Sequence, residues 1–337
     1  MLTAHRLEFT LEALTPITLN EHQGSALRGA LYNALRGQEH GPWGGFCAQK
    51  RLSSCAECML AAACPVCLLV STLDPAAERG RDRPRPFVID PPLRGPMRLE
   101  PGERLTFGLT LFSRALQLFP YVVLALRALE EVGLGKSSAE AGWGRGKARL
   151  VEAVATNPLI GARQVVLVAG EATVRVPDIG ITHEQVLEAV QRLPAGRLAL
   201  EFLTPTRLIE QGKLCKAPVF GTVFHRLWWR VAELAQAFGD EQEPEPEGLL
   251  DQEVKFRLVG LARAVRLAED GTKWVELESY STRRRRATPI SGLVGRATFE
   301  GDLAPMLPWL VWGQFTHVGK DAVKGDGWYV IREHPGD

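Results

Sequence analysis

The order of predicted secondary structure is the same in the two halves of the chain, and this repeat limits the possible folds more than any other feature. Residues 4–14 alternate apolar and polar side chains, as a half-buried strand does, and residues 25–36 carry Ala and Leu at every fourth position, as an amphipathic helix does. A strand pattern followed by an amphipathic helix returns at 198–203 and 219–238. Each half then continues with strands, a second helix, a glycine-rich segment and a final strand. That is the order of the βαββαβ unit, so the sequence predicts an α+β protein with two tandem ferredoxin-like domains.

The remaining predicted elements set the domain boundaries. Further strands are predicted at 104–112, 148–154, 254–267 and 273–282, and further helices at 119–131 and 304–313. We assign residues 1–155 to an N-terminal domain, 156–195 to a connecting segment and 196–337 to a C-terminal domain. The patterns at 163–168 and 172–177 could instead add strands to the first domain.

Composition places the chain among globular proteins and excludes several other classes. Of its 337 residues, 45% are hydrophobic and 23% are charged, which excludes a disordered chain and a disulfide-dense mini-protein. No apolar run approaches the roughly 20 residues of a membrane-spanning helix, and the N-terminus lacks the pattern of a signal peptide. We therefore expect a cytoplasmic protein with no membrane association. The net charge of +1 argues against a uniformly basic nucleic-acid binder but allows a local basic groove.

Five of the six cysteines lie close together, in an insertion at 43–70 of the N-terminal domain. Their spacing is C-x7-C-x2-C-x5-C-x2-C, and each C-x2-C pair can turn two thiolates toward one tetrahedral ion. We expect zinc, in a structural site because every ligand would be Cys. The alternative is a group of reduced, partly buried thiols. A tetrahedral site takes four ligands, so one of the five candidates is left over. The candidates are Cys47, Cys55, Cys58, Cys64 and Cys67.

Two glycine-rich segments, at 133–147 and 317–327, occupy matching places in the two halves. Glycine lets a backbone approach a phosphate and direct N–H groups toward it, although turns also need glycine. Neither segment has the spacing of a nucleotide-binding P-loop. The basic residues that would add charge to them are Lys136, Arg145, Lys147, Lys320 and Lys324.

Arginines supply the other candidate anion-binding groups. The densest run of charge in the chain consists of Arg283, Arg284, Arg285 and Arg286. Adjacent guanidinium groups repel one another without an anionic partner, so the run favours binding to phosphates; the alternative is a solvated loop. A polar stripe also runs along the first helix, opposite its Ala and Leu face, at Arg28, Tyr32 and Arg36.

Short segments along most of the chain carry a family resemblance. In the first half they are LRGA at 27–30, CP at 64–65, PFVIDPP at 86–92, PGE at 101–103 and GLG at 133–135. In the second half they are LTPT at 203–206, YSTR at 280–283, GLVG at 292–295, GDL at 301–303, HVGK at 317–320 and GDG at 325–327. In this order and coverage, the chain resembles the CRISPR-associated RAMP proteins that process precursor CRISPR RNA, a family of paired ferredoxin-like (RRM/RAMP) domains.

The resemblance implies a metal-independent endoribonuclease of antiviral defence that cuts within the repeats of a long transcript and releases guide RNAs. The 2′-hydroxyl next to the scissile phosphate would attack it, leaving a 2′,3′-cyclic or 3′ phosphate and a 5′-hydroxyl. No catalytic metal would take part, and the zinc would hold the Cys-rich insertion in shape. The implied partners are CRISPR repeat RNA and other subunits of a CRISPR effector complex. The alternative is a non-catalytic RAMP scaffold subunit that binds RNA, because the first helix contains no His.

Histidine suits the two proton transfers of this reaction because its pKa lies near working pH. In many relatives the catalytic His lies in the first helix or in the loop after it. Here His40 follows the helix and is the preferred candidate, with Tyr32 nearby, and His22 before the helix is the second. His317 opens the second glycine-rich segment and could act instead. His225 lies inside the long helix and is expected to be a core or groove-edge residue.

Overall fold

The computed structural model of the chain describes residues 2–37, 42–52, 55–71, 84–138, 144–171, 173–239, 251–281 and 286–332. It confirms a mixed α+β protein. The chain divides into two compact units, which we call the N-terminal unit (His5–Gly180) and the C-terminal unit (Ile181–Asp337 with Met1–Ala4). Among the described residues, no helix combines the length and the apolar composition needed to cross a membrane.

The N-terminal unit is built on a five-stranded sheet. Its strands are β1 (Ala4–Ala13), β2 (Ile17–Leu19), β3 (Phe87–Asp90), β4 (Met97–Leu99), β5 (Arg104–Phe112), β6 (Leu134–Ser138), β7 (Gly144–Gly146), β8 (Ala148–Asn157) and β9 (Ala162–Val168). Its helices are α1 (Gln23–Arg36), α2 (Pro65–Leu69), α3 (Phe119–Arg127) and α4 (Leu129–Val132). The sheet order is β3-β5-β1-β8-β9, and β2–β4 and β6–β7 form separate pairs. The path β1-α1-β3-β5-α3-β8 therefore follows the βαββαβ order, with its first and third strands at the centre.

The C-terminal unit repeats this path on a four-stranded antiparallel sheet. Its helices are α5 (His183–Val190), α6 (Phe220–Phe238), α7 (Gln252–Ala264) and α8 (Leu307–Thr316). Its strands are β10 (Arg197–Thr206), β11 (Leu208–Glu210), β12 (Lys213–Cys215), β13 (Arg266–Val275), β14 (Glu278–Ser281), β15 (Arg286–Pro289), β16 (Gly292–Glu300) and β17 (Tyr329–Arg332). The sheet order is β13-β16-β10-β17, and the path is β10-α6-β13-β16-α8-β17 with α7 added before β13.

The core of each unit lies between its sheet and its helices. From Leu7 to Ala13, every second side chain of β1 is buried, as the alternation predicts. α1 and α3 pack against each other and against β3 and β8. In the C-terminal unit, α6 packs against α8, and the buried side chains there include Trp228 and Trp312.

One stretch differs from the sequence prediction. Most of the strand predicted at 254–267 is the helix α7. Asp251 starts that helix by accepting a hydrogen bond from the Glu253 N–H at 2.7 Å, and its apolar residues fit a helical period as well as a strand period. Within the connecting segment, β9 pairs with β8 and extends the sheet of the N-terminal unit, as the pattern at 163–168 allowed, whereas residues 173–177 form no strand.

Candidate functional site

The polar stripe of α1 holds the Cys-rich insertion. Arg36 donates one hydrogen bond to the Lys50 carbonyl at 2.6 Å and another to the Tyr32 hydroxyl at 3.4 Å. Arg28 donates to the Val70 carbonyl at 3.3 Å. Both guanidinium groups therefore bind backbone carbonyls of the insertion and hold it against the helix. These hydrogen bonds account for the two arginines without a phosphate ligand.

His22 is the N-cap of α1. Its Nδ1 accepts a hydrogen bond from the Ser25 N–H at 3.2 Å, so the neutral ring carries its proton on Nε2. The ring can then take up another proton only on the Nδ1 lone pair that holds the cap. Proton transfer at His22 therefore competes with capping of the helix.

The preferred candidate, His40, lies outside the described residues. The chain on either side of it contacts the last turn of α1. The Gly37 N–H donates to the Asn33 carbonyl at 2.9 Å, and the Trp43 indole N–H donates to the Ala34 carbonyl at 2.6 Å.

His317 is placed differently from the prediction. Its side chain is fully buried, with 0% exposure, and stacks on Trp328 with ring centroids 6.0 Å apart. Its backbone is left-handed, with φ of 58°, where α8 ends. This burial argues against a direct role of His317 in proton transfer, and that role stays a prediction.

Glycines of both glycine-rich segments lie against backbone carbonyls of their own unit. A Cβ on Gly146 would overlap the Pro16 carbonyl oxygen. A Cβ on Gly327 would overlap the Val318 carbonyl oxygen, and the Gly327 backbone is left-handed with φ of 71°. These positions therefore require glycine because backbone approaches them closely. This structural requirement is the alternative to phosphate binding that the sequence analysis left open.

The cations of these segments divide into two groups. Arg145 and Lys147 each donate a hydrogen bond to a nearby backbone carbonyl. Lys324 forms an ion pair of 2.8 Å with the carboxylate three residues before it. Lys136 and Lys320 are exposed. These last two are the predicted phosphate contacts that the structure leaves open to a ligand.

Most of the arginine run lies outside the described residues, namely Arg283, Arg284 and Arg285. Arg286 opens β15, and its backbone pairs with Ser281 of β14. Its prediction as an RNA contact stays a prediction.

Three of the five predicted metal ligands lie together. Cys67 in α2 is nearly buried and hydrogen bonds with the thiols of Cys64 and Cys55; burial first, and then these two thiols, raise the pKa of Cys67. Cys47 and Cys58 are partly exposed. No group of three or more His, Cys, Asp or Glu side chains in the described ranges is arranged to hold a metal ion. The zinc stays a prediction.

A cationic cluster that the sequence analysis missed lies where α6 meets α7. His225 has Arg226, Lys255 and Arg263 as neighbours, and burial, followed by these cations, lowers the pKa of the imidazole. A strand would have sent alternate residues of this stretch to opposite faces, so the wrong prediction hid the cluster. The N-cap Asp251 was the signal that could have revealed it.

Two family models match the chain. Residues 2–179 match the N-terminal domain family AF_1859_N, and residues 200–329 match the family of the CRISPR-associated endoribonuclease Cas6. No curated protein sequence matches it.

Solved structures share the fold of the whole chain at low sequence identity. The Thermus thermophilus Cas6 (TTHB231) matches with a TM-score of 0.54 at 14% identity, over 98% of this chain and 99% of that one. The Cas6 (TTHA0078) product complex matches with a TM-score of 0.51 at 18% identity, over 99% and 100%. A partial Cas6-RT-Cas1–Cas2 complex matches with a TM-score of 0.56 at 12% identity, over 100% of this chain and 47% of that one.

These matches confirm the resemblance to CRISPR-associated RAMP proteins of RNA processing. The AF_1859_N model alone covers more than half of the residues. The chain therefore belongs to the family defined by this N-terminal domain, and residues 200–329 of its C-terminal unit match the model of the CRISPR-associated endoribonuclease Cas6.

Proposed function

We propose that the protein cleaves CRISPR repeat RNA and releases guide RNAs, by attack of a 2′-hydroxyl on the adjacent phosphate and without a metal in the chemical step. The observation that carries this proposal is the Cas6 endoribonuclease domain at 200–329. Among the solved structures that share the fold, one is a Cas6 product complex and another holds Cas6 with Cas1 and Cas2. We therefore infer repeat RNA as the substrate and other CRISPR proteins as partners.

The reaction needs two proton transfers and positive charge. A base removes the proton of the 2′-hydroxyl, the freed oxygen attacks phosphorus, and the 5′-oxygen leaves with a proton from an acid. The products are a 2′,3′-cyclic phosphate and a 5′-hydroxyl, so the atoms balance without water. A positioned proton-transfer group supplies about 10²–10⁴-fold in rate, and cations beside the phosphate stabilise the charge of the transition state.

We assign a proton transfer to His40, because the other two candidates are engaged. His22 caps α1 through Nδ1, and His317 is buried. Tyr32 is the second assigned group: the Arg36 N–H donates to its oxygen, which leaves the phenol proton to donate to a phosphate oxygen.

The test is single-turnover cleavage of a 5′-labelled repeat RNA in excess EDTA, with RNA binding measured beside it. The parent protein should cut once and leave a cyclic phosphate end. His40→Ala should lose at least about 10²-fold in rate with its binding unchanged. Normal cutting by His40→Ala would reject the assignment, and a zinc-loaded parent that cuts only when Mg²⁺ is added would reject the metal-independent mechanism.

His22→Asn is the matched control for that variant. Asparagine keeps an N-cap acceptor and removes the imidazole, so this variant should stay folded and cut at the parental rate. A loss of rate in His22→Asn as large as that in His40→Ala would move the proton transfer to His22.

A second candidate function, a non-catalytic RNA-binding subunit, is favoured by one observation. The described residues of α1 include no His, and the two described candidates are either capping or buried. This function predicts tight binding of the repeat RNA by the parent protein with no cut in any condition.

We also propose that the Cys-rich insertion binds a structural zinc. The support is the contact among the thiols of Cys55, Cys64 and Cys67, because two sulfurs bound to one tetrahedral zinc lie about 3.8 Å apart, within the range of thiol–thiol contact. Cys58 or Cys47 would complete the ligand set.

Metal analysis by mass spectrometry of protein purified without added metal tests this site. We expect about one zinc per chain, lost in Cys67→Ser and kept in Cys215→Ser, since Cys215 lies outside the insertion. Parent protein that folds and contains no zinc would reject the proposal.

A further inference from the structure

In the C-terminal unit, α6 and α7 pack closely enough to bring their side chains onto one surface. A Cβ on Gly221 would lie 3.2 Å from Cγ of Arg263, so this glycine lets the helices approach. The inner side of α7 is buried through Leu258 and Ala262. The α6–α7 surface is defined by the side chains that remain outside: His225, Arg226, Trp229, Lys255 and Phe256.

Two aromatic side chains are exposed on the α6–α7 surface. Trp229 is 43% exposed and Phe256 is 71% exposed. Among the aromatic residues whose side chains the structure describes, no others are as exposed as these two. Burial of such a side chain is worth about 1.5–3 kcal/mol, so two exposed aromatic rings on one surface indicate a binding surface.

Positive charge accompanies these rings. The Lys255 Nζ lies 4.4 Å from the Trp229 ring centroid and 5.9 Å from that of Phe256. The Nε of Arg226 is buried and makes no hydrogen bond to any part of the chain that the structure describes. Together α6 and α7 carry five Lys or Arg residues against two Glu. The surface therefore complements a ligand that is both anionic and flat.

One acidic group lies near the cluster and is already engaged. Glu210 is a neighbour of His225, and its carboxylate accepts a hydrogen bond from the Thr222 hydroxyl. It therefore offsets only part of the charge of the cations.

We propose that the α6–α7 surface binds unpaired nucleotides of RNA, with bases stacked on Trp229 and Phe256 and phosphates beside Lys255 and Arg226. The proposal rests on the proposed function for the identity of the polyanion as RNA. Every base offers a flat face and every nucleotide a phosphate, so exposed aromatic rings beside cations suit a single strand. A duplex keeps its base faces stacked, and an acidic peptide offers charge without flat rings, so both fit this surface less well.

Fluorescence anisotropy with a labelled oligouridylate of about ten nucleotides tests the proposal on the full chain. Phe256→Ala should weaken binding about 5- to 150-fold, the range for loss of one base-stacking partner. Lys255→Gln should also weaken binding and reduce the slope of log affinity against log salt by about 0.7, one phosphate contact to a single strand. Leu187→Ala and Arg192→Gln, exposed residues on and just after α5 of the same unit, are the matched controls and should bind like the parent.

A third variant separates stacking from mere stability. Uridine stacked on Trp229 should quench part of the tryptophan emission, and Trp229→Phe should lose that part while keeping most of the affinity. Thermal unfolding midpoints equal to that of the parent would show that the variants are folded.

The proposal is overturned if folded Phe256→Ala and Lys255→Gln bind oligouridylate like the parent. It is also overturned if oligoglutamate binds as tightly as oligouridylate and responds equally to both changes, since the surface would then fit an acidic protein. If the parent cuts no repeat RNA, the proposed function fails, but the oligouridylate titration still decides the role of the α6–α7 surface.

Discussion

The two glycine-rich segments serve the same purpose for the backbone of their units. Gly146 approaches the Pro16 carbonyl, and the Gly327 N–H donates to the Pro205 carbonyl at 3.0 Å. Pro16 and Pro205 each belong to a Thr-Pro pair at the first strand of their unit. The repeated motif therefore encodes a repeated backbone contact.

The charged side chains of the two segments differ. In the N-terminal unit, Arg145 and Lys147 bind backbone carbonyls, whereas in the C-terminal unit Lys324 pairs with Asp321. The glycines that the two segments share therefore serve the fold, while RNA contact would fall to whichever cations the local packing leaves exposed.

The largest expected effect comes from the glycines. Gly327→Ala should lower the free energy of unfolding by about 3–4 kcal/mol, because its Cβ would overlap the Val318 carbonyl and its φ is left-handed. Gly146→Ala should cost the N-terminal unit a similar amount through Pro16. Urea unfolding followed by circular dichroism measures both.

Gly212→Ala is the control for this comparison. Gly212 has a φ of 77° but nothing within 4 Å of its added Cβ, so it isolates the cost of the left-handed backbone, about 1–2 kcal/mol. If Gly327→Ala costs no more than Gly212→Ala, close backbone contact is not what the motif encodes.

The second-largest expected effect is a pH dependence of stability that arises in the N-terminal unit. Burial lowers the pKa of His5, in the N-terminal unit, to about 4, against 6.5 in the unfolded chain. Between these values the unfolded chain binds a proton that the folded chain does not, so stability falls as pH is lowered from 6.5 toward 4. The loss should reach about 2–3 kcal/mol.

Urea unfolding at a series of pH values, for the parent and His5→Gln, measures this effect. The difference in unfolding free energy between the two proteins should be constant above pH 6.5 and shift in favour of His5→Gln below it. Parallel curves down to pH 4 would show that His5 is not the acid-sensitive group.

Much of the fold could be predicted because apolar periodicity reports burial directly. The alternation in β1 fits only a strand, and the four-residue spacing in α1 fits only a helix. The apolar residues of the stretch that forms α7 fit the period of a helix and that of a strand. Only the capping carboxylate of Asp251 favours the helix.

The candidate site was less predictable because sequence shows what a side chain can do but not what it contacts. His22 and His317 have the same chemistry, yet one caps a helix and the other is buried. Arg36 and Arg28 of α1 donate to carbonyls that lie 14 and 42 residues away in the sequence, and no local sequence pattern predicts such partners. The α6–α7 surface needed the helix assignment before its residues could be placed together.

The smallest expected effect comes from the lysines of the two glycine-rich segments. Lys136→Gln and Lys320→Gln should each weaken binding of the repeat RNA only a few-fold, because each removes one exposed cation, and each should reduce the salt slope by about 0.7–0.9. Lys324→Gln is the matched control: this ammonium already has Asp321 as partner, so its loss should change the slope less. Titrations at several salt concentrations measure the slopes. If all three variants reduce the slope equally, the exposure of a lysine does not select the cations that meet RNA. If all three keep the slope of the parent, both segments serve only the fold.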